Sequence, residues 1–93
     1  MQVTVTFLGT LREQVGNRSL TVELPTIATY RDLLDAIAPT MEEKLTAGTW
    51  DPTKRSFSRQ MTVTLNRSAD LRDDTRSLGD GDEILVFLPM AGG

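Results

Sequence analysis

Three stretches of this chain alternate apolar and polar residues with a period of two, a fourth is almost continuously apolar, and a single helical pattern sits between the second and the third. A side-chain period of two is the signature of a strand with one buried face. Val3, Val5 and Phe7 alternate with Thr4 and Thr6, and Leu20, Val22 and Leu24 alternate with Ser19, Thr21 and Glu23. Met61, Val63 and Leu65 do the same around Thr62 and Thr64. The run Glu83-Ile84-Leu85-Val86-Phe87-Leu88 reads as a strand covered on both faces.

Punctuation between these runs completes the reading. Leu11 to Val15 can form a helical turn closed by Gly16, and Pro25, which lacks an N–H for the ladder, ends the second strand. Thr29 followed by Asp32 predicts an N-cap with an Asp variant of the capping box. Leu33, Leu34, Ile37 and Ala38 make the apolar face of the helix that follows. Pro39 is expected to stop or kink it at Ala38, with Thr40 and Glu43 opening a second short helical segment that carries Met41 and Leu45 and ends near Gly48. Residues 49–60 lack a period and read as a loop, with a short edge strand around Phe57 and Trp50 as a lid over the core edge. Asn66-Arg67-Ser68 and Asp80-Gly81-Asp82 are turns, and Leu71 and Leu78 are isolated core plugs.

Strand, strand, helix, strand, strand is the order of a two-layer α+β sandwich, because helix and sheet must bury each other's apolar faces. A mixed sheet of about four to five strands wrapped on one main helix suits a β-grasp, although order alone does not separate it from other small α+β folds. Ninety-three residues make one domain, expected over residues 1–88, with 89–93 as a flexible Gly-Gly tail.

Composition closes off several chemistries. The chain has no Cys and no His, which excludes thiol nucleophiles, disulfides and imidazole acid–base work by its own side chains, and no metal site is expected. A net charge of −3 with scattered arginines argues against nucleic acid. No stretch approaches the ~20 apolar residues of a membrane span. Met1 to Val5 reads as a strand rather than a signal peptide, so a cytoplasmic protein is expected. The acid pairs Glu42-Glu43, Asp73-Asp74 and Asp80/Asp82 fall at turns and helix starts, where carboxylates cap and solvate. Gly79-Asp80-Gly81 lacks the Lys-Ser/Thr of a phosphate loop, and no serine has a histidine to activate it.

The remaining candidate is Pro89-Met90-Ala91-Gly92-Gly93. Glycine has no Cβ, so such a tail can thread a narrow channel and present the Gly93 carboxylate at its tip. A carboxylate is a poor electrophile, but its adenylate is an acyl-phosphate anhydride that a sulfur or nitrogen nucleophile can attack. Such a carrier needs no catalytic side chain.

Four stretches carry a resemblance to a known family: Val5 to Gly16; Leu24-Pro25-Thr26 with Tyr30 to Leu34; Leu65-Asn66; and Leu78-Gly79-Asp80-Gly81-Asp82-Glu83-Ile84 with Phe87-Leu88-Pro89 and Gly92-Gly93. Over its whole length the chain resembles the small subunit of molybdopterin synthase and, more loosely, the other ubiquitin-like sulfur carriers. It departs in having Leu88-Pro89 where a Pro-Pro pair is frequent and in the longer segment 49–60. The resemblance implies a β-grasp fold and a cytoplasmic carrier with no bound cofactor. It also implies adenylation of Gly93 by an E1-like adenylyltransferase that uses ATP, followed by thiocarboxylation. Catalytic side chains would come from the molybdopterin synthase large subunit, in a hetero-oligomer that receives the tail. Rival functions are a sulfur carrier for thiamine, cysteine or thiolated tRNA, a ubiquitin-like protein modifier, and a binding module with an inert tail.

Alternation adds a docking surface. Phe7, Ile84, Val86 and Leu88 share the core face, which leaves Leu8, Leu85 and Phe87 on the other side of the sheet. Apolar residues there mark either a partner interface or a surface covered by residues 49–60.

Overall fold

Residues 1–89 are described by the structure, a computed structural model. Gln2–Phe7 forms β1 and Ser19–Glu23 forms β2, antiparallel to it, with Val3 opposite Val22 and Val5 opposite Leu20. The intervening turn of helix, α1 (Thr10–Val15), ends as its sequence predicts. Gly16 adopts the left-handed conformation at φ 84° and its N–H reaches the Arg12 carbonyl at 3.0 Å.

After β3 (Ala28–Thr29) comes the main helix, α2 (Tyr30–Lys44). Its capping box is complete: Thr29 Oγ1 accepts from the Asp32 N–H, and Asp32 Oδ2 accepts from the Thr29 N–H at 2.8 Å. Tyr30, Leu33, Leu34, Ile37, Ala38 and Met41 form its buried stripe. Pro39 neither stops this helix nor starts a second one; α2 runs through it to Lys44. Pro39 is exposed, so the Asp35 carbonyl that loses its N–H partner lies toward water, and the adjoining stripe of Ala38 and Met41 stays in the core.

Residues 49–60 are more ordered than their lack of period implies. Trp50–Asp51 (β4) and Ser56–Phe57 (β5) pair as a small hairpin. Trp50 is 2% exposed and meets Phe57 edge to face at 5.2 Å, so it belongs to the core rather than lying over its edge. Asp51 Oδ1 caps the hairpin turn by accepting from the N–H groups of Thr53 and Lys54. Arg31 ties the hairpin to the body: its guanidinium donates to the carbonyls of Lys54 and Arg55 and pairs with Asp35 and Asp74.

Thr62–Leu65 (β6), Ala69–Asp70 (β7), Ser77–Leu78 (β8) and Glu83–Phe87 (β9) complete the chain's elements. The sheet is five-stranded in the order β2-β1-β9-β6-β7. β9 lies parallel to β1 and antiparallel to β6. A mixed sheet with one main helix packed on it is the α+β, β-grasp architecture expected. Val3, Val5, Phe7, Ile84 and Val86 face α2. Leu71 and Leu78 plug the core from the irregular crossing, as read.

Asn66 sits at φ 51°, accepts from the Glu83 N–H at 2.8 Å and donates to Asp82 Oδ1 at 3.0 Å. The end of β6 is thereby clamped to the start of β9. No helix among the described residues is long and apolar enough to cross a membrane.

Candidate functional site

Because β1 and β9 run parallel, their C-terminal ends emerge side by side. The Leu8 N–H donates to the Val86 carbonyl at 3.1 Å, which carries the ladder one residue past β1. Gly9 then takes φ 62°, a conformation open to glycine, and turns the chain straight into α1. Beside this corner β9 ends at Phe87 and continues as Leu88-Pro89. Leu8, Phe87, Leu88 and Pro89, with Thr10 and Gln60 at the rim, line an open groove of about 710 Å³. Gln60 is held in place by the Gly48 carbonyl, which accepts from its side-chain amide.

Leu8 and Phe87 therefore meet in one groove with Pro89, the first residue of the expected tail. Leu85 does not line it. It stands two residues back on the same outer face of β9, between Thr6 of β1 and Thr64 of β6. Leu8 is 41% exposed, whereas Leu85 and Phe87 are half-buried. Segment 49–60 does not cover this face: Trp50 and Phe57 turn into the core, and Gln60 alone of that segment reaches the groove. Met90, Ala91, Gly92 and Gly93 lie outside the described residues.

Two expectations for β9 need correction. It is not covered on both faces, since Ile84 and Val86 are buried while Glu83, Leu85 and Phe87 are half-buried. Leu88, expected on the core face, is 47% exposed. It lies beyond the last paired residues of both ladders, Val86 against Phe7 and Phe87 against Thr62, so the pleat no longer fixes its direction. Gln60 and Thr10 were not legible as groove residues, because neither falls in a periodic segment.

No titratable side chain lines the groove among the described residues. Its lining is mainly apolar, from Leu8, Phe87, Leu88 and Pro89. The acid pairs mostly serve structure, as their positions predict. Asp73 accepts from the N–H and hydroxyl of Thr75, which holds its carboxyl below the usual range. Asp74 pairs with Arg31. Asp80 accepts from the Gln2 N–H at 2.7 Å, and Asp82 accepts from the Gly79 N–H at 2.7 Å. Glu42 accepts from the Trp50 indole at 3.4 Å.

The ThiS family matches residues 5–93, nearly the whole chain and through to its last glycine. Among curated proteins none matches. SAMP1 of Haloferax volcanii is similar in structure, at 23% identity with all of both chains covered and a TM-score of 0.76. The putative molybdopterin converting factor subunit 1 of Pyrococcus furiosus is similar at 24% identity, covering 97% of this chain and 99% of that one, with a TM-score of 0.68. The complex of subunits 1 and 2 of the molybdopterin-converting factor of Helicobacter pylori contains a chain similar at 20% identity, with all of both chains covered and a TM-score of 0.60. These structural likenesses establish the fold.

Proposed function

This chain belongs to the ThiS family of ubiquitin-like sulfur carriers, and from that premise we propose that it delivers sulfur from a thiocarboxylate at Gly93 as the small subunit of a molybdopterin synthase. The observation that carries the reading is the family match running to Gly93. Its closing stretch contains β9 and Pro89, which lines the apolar groove. In this scheme an E1-like enzyme lets a Gly93 carboxylate oxygen attack the α-phosphorus of ATP, and pyrophosphate leaves. A sulfide-level nucleophile then attacks the acyl carbon of the adenylate. AMP departs with the electrons of the broken C–O bond, leaving a thiocarboxylate. The slender Met90-Ala91-Gly92-Gly93 tail enters the large subunit, which supplies the catalytic side chains, and the sulfur passes to a pterin precursor.

The likeness to subunit 1 of the molybdopterin-converting factor, from Pyrococcus furiosus and from the Helicobacter pylori complex, supports a partner of this kind. The partner would dock on Leu8, Leu85, Phe87 and Leu88, the apolar residues the fold leaves uncovered beside the exit of the tail. We place the carrier in the cytoplasm, where the activating enzyme and ATP are found.

A second reading has its own support. The structural likeness to SAMP1, a small archaeal modifier protein, favours transfer of the activated Gly93 carbonyl to a lysine amine instead of to sulfur. Intact-mass measurement on protein from its native cell decides between them. Replacement of one oxygen by sulfur at the terminus, together with co-purification of a molybdopterin synthase large subunit, is expected. Gly-Gly remnants on lysines of other proteins, with no sulfur-bearing species, would overturn the first reading in favour of the second.

A further inference from the structure

Across the turn at residues 58–61 from the groove lies a smaller pocket of about 110 Å³. Gln60 lines the groove, whereas Arg59 and Met61 line the pocket. Its floor is apolar, with Phe57, Val63 and Leu71 all buried. Its polar residues are Tyr30, Ser56, Ser58, Arg59 and Arg72.

Tyr30 is the unusual member. It is 4% exposed, yet its hydroxyl is not shut off from solvent, and among the described residues it makes no side-chain hydrogen bond to the protein. A phenol whose tip reaches the pocket can take its hydrogen bond from water or from a ligand there. Burial pushes its ionisation well above the ordinary range, so at neutral pH the group is an O–H donor. The Tyr30 and Arg31 backbone N–H groups are already committed to the carbonyls of Arg76 and Asp74, so the helix end itself offers nothing here.

The two arginines are equally uncommitted. Arg31, nearby, is bound to Asp35 and Asp74, but neither Arg59 nor Arg72 makes an ion pair or side-chain hydrogen bond among the described residues. Arg72 is close enough to Tyr30 for its charge to act on the phenol, against the opposing charge of Asp74. Asp74 is itself neutralised by Arg31. The Ser56 hydroxyl is also without a partner, while that of Ser58 is spent on the Gly48 carbonyl at 2.7 Å.

A phenol whose hydroxyl opens to the pocket, a free hydroxyl and the unpaired guanidinium groups of two exposed arginines surround one small apolar-floored cavity, supplying donors and positive charge with no carboxylate among the lining residues. We propose that Tyr30, Ser56, Arg59 and Arg72 form a binding site for a tetrahedral oxyanion of the phosphate class, free or as the end group of a small monoester. The volume is about a third of the ~300 Å³ at which pockets for drug-sized ligands begin, which fits one such group and not a nucleotide. The site is independent of the sulfur-carrier reading, since it uses none of the groove or tail residues.

Backbone amide NMR on the full chain tests it, with inorganic phosphate and methyl phosphate titrated separately against chloride at constant ionic strength. Saturable shifts confined to residues 56–59, 71–72 and the start of α2 are expected with at least one of the two, and the tighter binder identifies the source. The double variant R59Q/R72Q should weaken binding about tenfold or more. Tyr30→Phe, which keeps the ring in the core, should weaken it about threefold or more. Shifts that fail to saturate, that spread over the whole surface, or that are the same in both folded variants and the parent overturn the site.

Discussion

Neighbouring residues of β9 live in different surroundings. Ile84 and Val86 lie against α2 and are completely buried. Leu85 and Phe87, equally apolar, are half-buried on the opposite face, with exposed Leu8 and Leu88 beside them. The cause is the number of layers. One helix covers one face of the sheet, and nothing among the described residues covers the other. A continuous apolar run is thus two sets of residues: one that holds the fold together, and one that stays half-buried among the described residues and is offered to the proposed partner.

Changing the inner face should cost the most. Ile84→Ala leaves a cavity under α2 and is expected to destabilise the fold by about 2–5 kcal/mol. Denaturant unfolding would measure it, and a loss under about 1 kcal/mol would mean that the two faces differ less than their burial implies.

On the outer face Phe87→Asp should leave unfolding within about 1 kcal/mol of the parent while costing about 2 kcal/mol, roughly thirtyfold, in affinity for the proposed large subunit. Calorimetric titration with that subunit reads the effect. Retained affinity would show that the outer face is not where the partner docks.

How much of this contrast the sequence discloses depends on how local its cause is. Period-two alternation in β1 and the capping pair Thr29/Asp32 act within a few residues, so both are legible and both are found. The course of α2 through Pro39 is not, because it depends on Pro39 facing water, which only the packed helix decides. The hairpin of β4 and β5 is hidden for another reason. Its strands are two residues each, too short to show a period, and Arg31 holds it through backbone carbonyls that no side-chain pattern records. Leu88 departs from the alternation because it lies one residue past the last ladder contact. Of the docking residues, Leu8 and Phe87 were legible as an uncovered pair, but their meeting with Pro89 in one groove follows from the parallel pairing of β1 and β9. The capping box offers a probe of the inner layer that leaves the outer face untouched. Thr29→Ala removes the acceptor for the Asp32 N–H and should cost about 1 kcal/mol, lowering Tm by about 4–8 °C. Affinity for the large subunit should not change, and a parallel loss of affinity would tie docking to the helix layer.

The smallest effect expected is also the one of opposite sign. Thr64 stands beside Leu85 on the outer face, and its Oγ1 is buried with no partner among the described residues. A hydroxyl stripped of water and left unbonded is a cost, and valine has nearly its shape without that cost. Thr64→Val should therefore stabilise the fold by a few tenths to about 1 kcal/mol, read as a higher midpoint in thermal unfolding. If it does, threonine at this position is not explained by stability. Because that oxygen is shut off from solvent, a partner lying over Leu85 and Phe87 does not reach it, and the same variant should bind the proposed large subunit as the parent does. A variant less stable than the parent would show that the hydroxyl finds a bond within the fold, and one that binds more weakly would show that docking opens this part of the outer face.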